Sequence, residues 1–402
     1  MIRRISYVDP YSGGHHADFL LFFEREFARH GYVVDAYVPE KTWCQAGEIS
    51  DGNHPRSLLH NADMSGSSLT DRVSFLRHLS SAGAGTENNQ IFFCFIDPLV
   101  PALAVQACLG ASLRNWSGIF FRDSFNHPAD ERHQAVPRLK SAVKRALLSW
   151  VIAQGATGIF TLNSRWTARM PVPVVWLPDA LTALDREALS IRASCGWPIP
   201  CTQAGKKPRI SLLFFGAIED RKGLIEFCSG LLRLSPTEAA GLRLVVGGRY
   251  NDLAYRSRCL VAFEALRVHG IQVDVYEGYL SADRLRDHLI ECDAVLAPYK
   301  SHIGSSGVLG LAAQYGRWVL GQARYQIGDE IRTHELGSSF DPTDADAVAM
   351  AVRFVLAGKA LPTQGMYTFM GARNCVAASN VIGDALRSGI LRPRAPSDQS
   401  AS

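Results

Sequence analysis

Between residues 182 and 208 the chain shows little periodicity, and on either side of that break it reads as the same pattern. Gly196, Pro198, Pro200, Gly205 and Pro208 crowd the break, and such a density of proline and glycine marks a linker. Before it, short apolar runs at 5–8, 33–38, 91–96, 118–122, 158–161 and 174–177 alternate with amphipathic stretches, the first of them a helix from His16. After it, runs at 210–215, 242–246, 273–276, 294–297 and 318–320 do the same. Strand and helix in strict alternation build a parallel sheet covered by helices on both faces. A chain of 402 residues is also too long for one ordinary core. The reading is an α/β protein with an N-terminal Rossmann-like domain over 1–181, a linker over 182–208 and a second such domain over 209–360. Helices close the chain over 361–390, and 391–402, ending PRAPSDQSAS, reads as a disordered tail.

Composition removes several classes of function. A net charge of +4 and the lack of a finger, RNP-type or helix-turn-helix pattern argue against a nucleic-acid partner. Nine cysteines with no C-x-x-C pair and no zinc spacing read as free thiols in a reducing compartment, and no metal is expected. The start, MIRRISYVDP, lacks the apolar run of about 7 to 15 residues that a signal peptide needs, so a cytoplasmic location is expected. Charge is uneven: 132–178 holds no Asp or Glu but holds Arg132, Arg138, Lys140, Lys144, Arg145, Arg165 and Arg169. Within it, Val136, Leu139, Val143, Leu147 and Trp150 fall on one helical face beside the basic residues, a pattern suited to an anionic membrane surface. An ordinary domain helix with a solvated basic face gives the same pattern.

Three segments carry chemistry. SGGHHADFL follows the first strand; Gly13 and Gly14 permit a tight turn against a ligand, the next helix offers free amides, and His15 or His16 can face that ligand. FFGAIEDRKGL follows the first strand of the second half, where Gly216 turns the chain and Arg221 and Lys222 can meet phosphate. In YKSHIGSSGVLGLAAQYGRWVLG, Gly304, Ser305, Ser306 and Gly307 stand at a helix entrance whose amides and hydroxyls suit a diphosphate. Each alone has a plain reading, as a turn, a solvated basic pair or an N-cap.

Together, in order and spacing over 2–358, these segments resemble the glycosyltransferases of the GT-B fold, and more closely the family-4-like group with its GG turn, R-K-G loop and donor-binding helix. The resemblance implies two Rossmann-like domains facing across a cleft, with C-terminal helices closing the structure. It implies a hexosyltransferase-type enzyme that moves a sugar from a nucleotide-sugar donor to a glycan or lipid-linked acceptor, as in polysaccharide biosynthesis. Retention of the anomeric configuration is implied too, with no cofactor beyond the donor itself and, as in many relatives, peripheral association with the inner face of a membrane. Gly13 and Gly14 carry over as the acceptor-side turn and Lys222 as the diphosphate ligand. Arg221 stands in for the family's arginine, whose position holds Ala217; Gly278 and Tyr279 join the donor side.

Two departures matter. The family's paired glutamates fall at Ile303 and Leu311, so donor hydroxyls need other partners, of which Asp329 and Glu330 in the following loop are candidates. In GIFFRDSFNHP, Arg122 takes the place of the family's histidine, followed by Asp123 and His127. Arg122 can stabilise a departing phosphate but cannot act as a base, a task open to Asp123 or His127. A nucleotide-sugar epimerase of the same fold and an inactive sugar-nucleotide-binding subunit are the alternatives.

Overall fold

The computed structural model describes residues 3–11, 16–49, 58–82, 84, 89–121, 135–163, 170–178, 188, 190–192, 194–199, 209–278, 280–300, 302, 304 and 306–391. It divides into two compact units, one comprising 1–182 and 375–402, the other 183–374.

The first unit is a seven-stranded sheet in the order β3-β2-β1-β4-β5-β6-β7. Its strands are β1 (Arg3–Val8), β2 (Tyr32–Val38), β3 (Leu58–Asn61), β4 (Asn89–Phe93), β5 (Trp116–Phe120), β6 (Ala156–Thr161) and β7 (Val174–Trp176), and every pairing is parallel. The helices are α1 (His16–Arg29), α2 (Glu40–Ile49), α3 (Leu69–Ser81), α4 (Val100–Cys108) and α5 (Ala135–Ala153). Side chains alternate between faces along a strand, and the core records it: Tyr7 and Phe92 pack with α1, while their neighbours Val8 and Phe93 pack with α3, α4 and α5. Phe23 of α1 anchors the first face, its ring 4.6 Å from Phe92 and 5.8 Å from Phe27.

The second unit repeats the plan with six strands, in the order β10-β9-β8-β11-β12-β13. These are β8 (Ile210–Phe215), β9 (Leu242–Gly248), β10 (Gln272–Glu277), β11 (Ala294–Ala297), β12 (Trp318–Gln322) and β13 (Gly337–Phe340), again all parallel. On one face lie α6 (Leu224–Leu231), α7 (Pro236–Ala240), α8 (Leu253–Val268) and α12 (Ala345–Leu356), packed around Phe214, Phe227 and Phe263. The strands also contact α9 (Ala282–Glu291), α10 (Gly307–Tyr315) and α11 (Tyr325–Thr333).

The expected closing helices are two, and they part company. Helix α13 (Gln364–Ala372) packs on α10 in the second unit. Helix α14 (Cys375–Arg387) lays Ala378, Ile382, Ala385 and Leu386 into the core beside α1. The chain then seats itself on the first sheet: Thr157 donates to the Ile390 carbonyl at 2.7 Å, and Gly158 makes room, since a Cβ there would stand 2.3 Å from the Ile390 side chain. Each described cysteine is a free thiol; Leu391, expected as the first residue of a disordered tail, is instead buried in the core of the first unit, and the rest of the tail and most of the expected linker lie outside the described residues.

Candidate functional site

In both sheets the chain runs outward from a central strand and then returns to that strand's other side. The order reverses at β8/β11 in the second unit and at β1/β4 in the first. Helices leaving the two strands of such a pair go to opposite faces, which opens a crevice at their carboxyl ends.

At the β8/β11 reversal the backbone is unusually close. Gly216 has φ +97° and donates to the Gly247 carbonyl at 2.9 Å, and a Cβ on Gly248 would stand 1.8 Å from the Gly216 oxygen. A short 3-10 turn, Asp220–Lys222, follows and ends on Gly223 in the left-handed region. A Cβ on Gly223 would lie 2.0 Å from the Pro298 oxygen, so only glycine lets this loop rest on the exit of β11. Lys300 N–H closes the contact on the Arg221 carbonyl at 2.9 Å.

This seating directs Lys222 back over the strand ends. Its ammonium stands 5.4 Å from the Tyr299 ring centre and 5.8 Å from that of Phe214, and 3.2 Å from where a Cβ on Gly216 would be. The neighbouring cations are answered. Arg221 pairs with Glu219 and meets His302 Nδ1 at 3.0 Å; Lys300 reaches Asp220 at 2.6 Å and Glu226 at 2.8 Å. Burial works to lower the Lys300 pKa, but its two carboxylate partners prevail and raise it. Among the described residues no carboxylate pairs with Lys222. Beside it, Ser306 stands at the N-cap of α10, yet its hydroxyl lies 3.3 Å from the Tyr299 hydroxyl and bonds none of the helix's own amides. Gly278 follows β10 on the same edge, its N–H on the Gly248 carbonyl at 2.9 Å.

At the β1/β4 reversal the chemistry differs. Asp9, just past β1, is fully buried, and its backbone N–H donates to the Tyr37 carbonyl at 3.0 Å. Its Oδ2 lies 2.8 Å from His16 Nδ1, at the start of α1, and 3.5 Å from the Tyr7 hydroxyl. Burial raises the Asp9 pKa against the opposing hydrogen bond from His16. Burial works to lower that of His16, but its bond to Asp9 and the carboxylate charge prevail and raise it. Burial also holds Tyr7 and Cys94 well above their ordinary values, so both stay protonated. One half-buried ring, that of Phe95, lies 6.3 Å from His16, and Tyr11 and Phe121 pack on Phe95 at 5.6 Å and 5.2 Å.

The structure therefore gathers Gly216, Arg221, Lys222, Gly278, Gly304, Ser306 and Gly307 at one end of the second sheet, and places His16 at the matching end of the first. Gly13, Gly14, His15, Arg122, Asp123, His127, Tyr279 and Ser305 lie outside the described residues. Asp329 and Glu330, expected in a loop, are in helix α11, because Gln326, Ile327, Glu330 and Ile331 form its buried face. Glu330 is buried against Arg373 and accepts from Gln326 at 2.6 Å, while Asp329 pairs with Arg332 at 2.6 Å; both carboxylates serve the fold. Asp9 carried no sequence signal, since an Asp-Pro after a strand is an ordinary turn. Among the described residues no His, Cys, Asp and Glu cluster has metal-binding geometry, and no helix is long and apolar enough to cross a membrane.

No protein-family model matches the sequence, and neither does any curated protein. Solved structures do match along the whole length. Sucrose-phosphate synthase from Thermosynechococcus elongatus aligns at 15% identity and a TM-score of 0.62, over 96% of this chain and 98% of its own. HepE from Anabaena, in complex with UDP and glucose, aligns at 11% identity and 0.65, over 96% and 100%. The trehalose-6-phosphate synthase OtsA gives 11% and 0.65, over 98% and 100%. Two parallel Rossmann-like sheets of seven and six strands, and this likeness along the whole chain, give the protein the GT-B fold of glycosyltransferases.

Proposed function

We propose that this protein is a glycosyltransferase that takes a sugar from a nucleotide-diphosphate donor held by the second unit and gives it to an acceptor hydroxyl bound by the first. The Lys222 ammonium carries the reading. It stands over Gly216 at the strand-order reversal, and among the described residues no carboxylate pairs with it, although Arg221 and Lys300 beside it are paired. A half-buried cation so placed is suited to a phosphate. The N-terminus of α10 offers the second phosphate its first-turn amides, since the Ser306 hydroxyl is turned to Tyr299. HepE, which shares the fold, was solved with UDP and with UDP-glucose, which supports a donor of that class.

In this reading Arg122 stabilises the departing phosphate and Asp123 or His127 takes the acceptor proton. The acceptor is a glycan or a lipid-linked sugar. Exposed apolar residues on α5 favour the second, through an anionic membrane surface: Val143, Leu147 and Trp150 keep 59%, 39% and 38% of their area open.

Calorimetric titration with UDP tests the donor site. Lys222→Ala is expected to weaken UDP binding by about tenfold or more, the scale of one charge-assisted hydrogen bond, with the thermal transition unchanged. Ser306→Glu should weaken it as well, through like-charge repulsion. Wild-type affinity in Lys222→Ala would remove this lysine from the site and with it the main support for the reading.

A further inference from the structure

Helix α8 of the second unit carries two apolar faces, and the sheet uses only one of them. Tyr255, Cys259, Phe263 and Leu266 are buried in the core around Phe214 and Phe227. On the opposite side Leu253, Leu260, Val261 and Val268 keep 80%, 39%, 73% and 83% of their area open. At 3.6 residues per turn these four, with Ser257 and Glu264 among them, share an arc of about 100° along the whole helix. A helix that lies on a sheet is normally polar on the side turned to water. Single exposed aliphatic side chains need no explanation, but a stripe of them on one element marks a contact surface.

The order of residues in the stripe determines its occupant. Leu253 and Leu260 are seven residues apart, Val261 and Val268 are seven apart, and the two pairs adjoin, so the stripe reads the same from either end. Ser257 and Glu264 stand at equivalent places on the two sides of its centre. A second copy of the helix, turned end over end about the point between Leu260 and Val261, sets Leu253 on Val268, Leu260 on Val261 and Ser257 on Glu264. Every open aliphatic side chain then meets another, and each hydroxyl meets a carboxylate. A twofold contact demands this reciprocity, in which residue i touches j while j touches i. Spacing by sevens also keeps the seam between two packed helices in register. We propose that α8 is the interface of a symmetric dimer, covered by α8 of a second copy of this chain laid antiparallel to it.

Charge permits the approach. Arg256 is held by Glu277 at 2.8 and 2.9 Å, Arg258 lies 3.6 Å from Asp220, and Arg267 lies 3.4 Å from Glu264, each pair within one chain. The arginines beside the stripe therefore bring no unanswered charge against their copies. An apolar contact of this kind holds at high salt, whereas attachment of a basic helix to an anionic membrane is screened. The pairing also fixes an orientation. The two copies of Leu253 lie at opposite ends of the paired helices, about 22 Å apart at 1.5 Å per residue. Leu253 of one protomer instead adjoins Val268 of the other.

Sedimentation equilibrium of the full chain should give the mass of two copies at tens of micromolar, at low and at high salt alike. Val261→Lys places a charge at the centre of the contact twice per dimer and should weaken association by about 10²-fold or more. Its thermal transition measured on the monomer should match wild type, because the side chain is open in the protomer. Oxidative cross-linking reads the orientation. Leu253→Cys alone and Val268→Cys alone should give no more covalent dimer than wild type, whose Cys44, Cys108 and Cys195 are exposed. A mixture of the two variants should give it readily. A chain that stays monomeric, a dimer indifferent to Val261→Lys, or Leu253→Cys that cross-links to itself would each overturn the proposal. So would a monomer that pellets with phosphatidylserine vesicles and is released by Val261→Lys, which would give the stripe to lipid. None of these readings involves UDP, so their failure leaves the glycosyltransferase reading where it stands.

Discussion

Single charges in the second unit sort by whether the fold answers them, and Glu238 shows the answered kind. It completes a capping box with Ser235 at the start of α7 and bonds Arg353 at 2.8 Å. The bond from Arg353, with that from the Ser235 backbone, lowers its pKa from 4.5 to about 2. A lowered carboxylate stabilises the folded state above its unfolded pKa and loses that contribution as pH falls through the folded one. Urea unfolding should show Glu238→Gln less stable than wild type at neutral pH, with the gap closing between pH 4.5 and about 2. Because solvent reaches both members of the pair, the gap should be small and shrink with salt. A gap that is constant with pH would assign the loss to capping alone. The place of Lys222 was legible in the sequence because R-K-G comes soon after β8, and position after a strand's carboxyl end is a local signal. Asp9 was not, because its burial and its imidazole partner exist only once β1, β4 and α1 are packed. Glu330 misled for the converse reason: its partner Arg373 lies far along the chain.

Elements were legible where an apolar pattern announced them and silent where none did. The strands at 210–215 and 294–297 stand where the apolar runs put them. Strand β3, LLHN, is exposed at all four residues on the edge of its sheet, and β13, GSSF, has a single apolar side chain, Phe340; neither carries an apolar run. Helix α5 was read from its spacing, and the structure adds that Val143, Leu147 and Trp150, at i, i+4 and i+7, are open rather than packed. If this stripe and the basic residues of its helix meet lipid, the protein should co-sediment with vesicles containing phosphatidylserine. It should be released at high salt, since screening acts within about 8 Å at physiological ionic strength. Trp150→Ser should weaken this association. Equal binding to neutral vesicles would reject the electrostatic part, and no binding to either kind would return α5 to the role of an ordinary helix.

For the whole molecule, the decisive fact is that 375–391 belongs to the first unit although the second lies between. Periodicity revealed two closing helices but not their allegiance, which is set by which core has room: Ala378, Ile382, Ala385, Leu386 and Leu391 complete the one around Phe23 and Phe92. A chain ending at Asn374 loses all five buried apolar side chains. At about 1.5–3 kcal/mol for each large one, the loss rivals the whole stability of a typical domain. Hydrogen exchange on that truncated chain should show the first unit unprotected and the second, with its UDP binding, intact. Protection retained over β1, β4 and β6 would contradict the assignment. The same interruption fixes an order of events on the ribosome. Residues 183–374 are contiguous and can fold as soon as they emerge, whereas the unit that is begun first must wait for 375–391. At about 5–20 residues per second the wait is on the order of tens of seconds. During that interval Phe160 and Leu177 lack part of their cover, which makes the N-terminal half of the newborn chain, not the middle, the part that chaperones should be found holding.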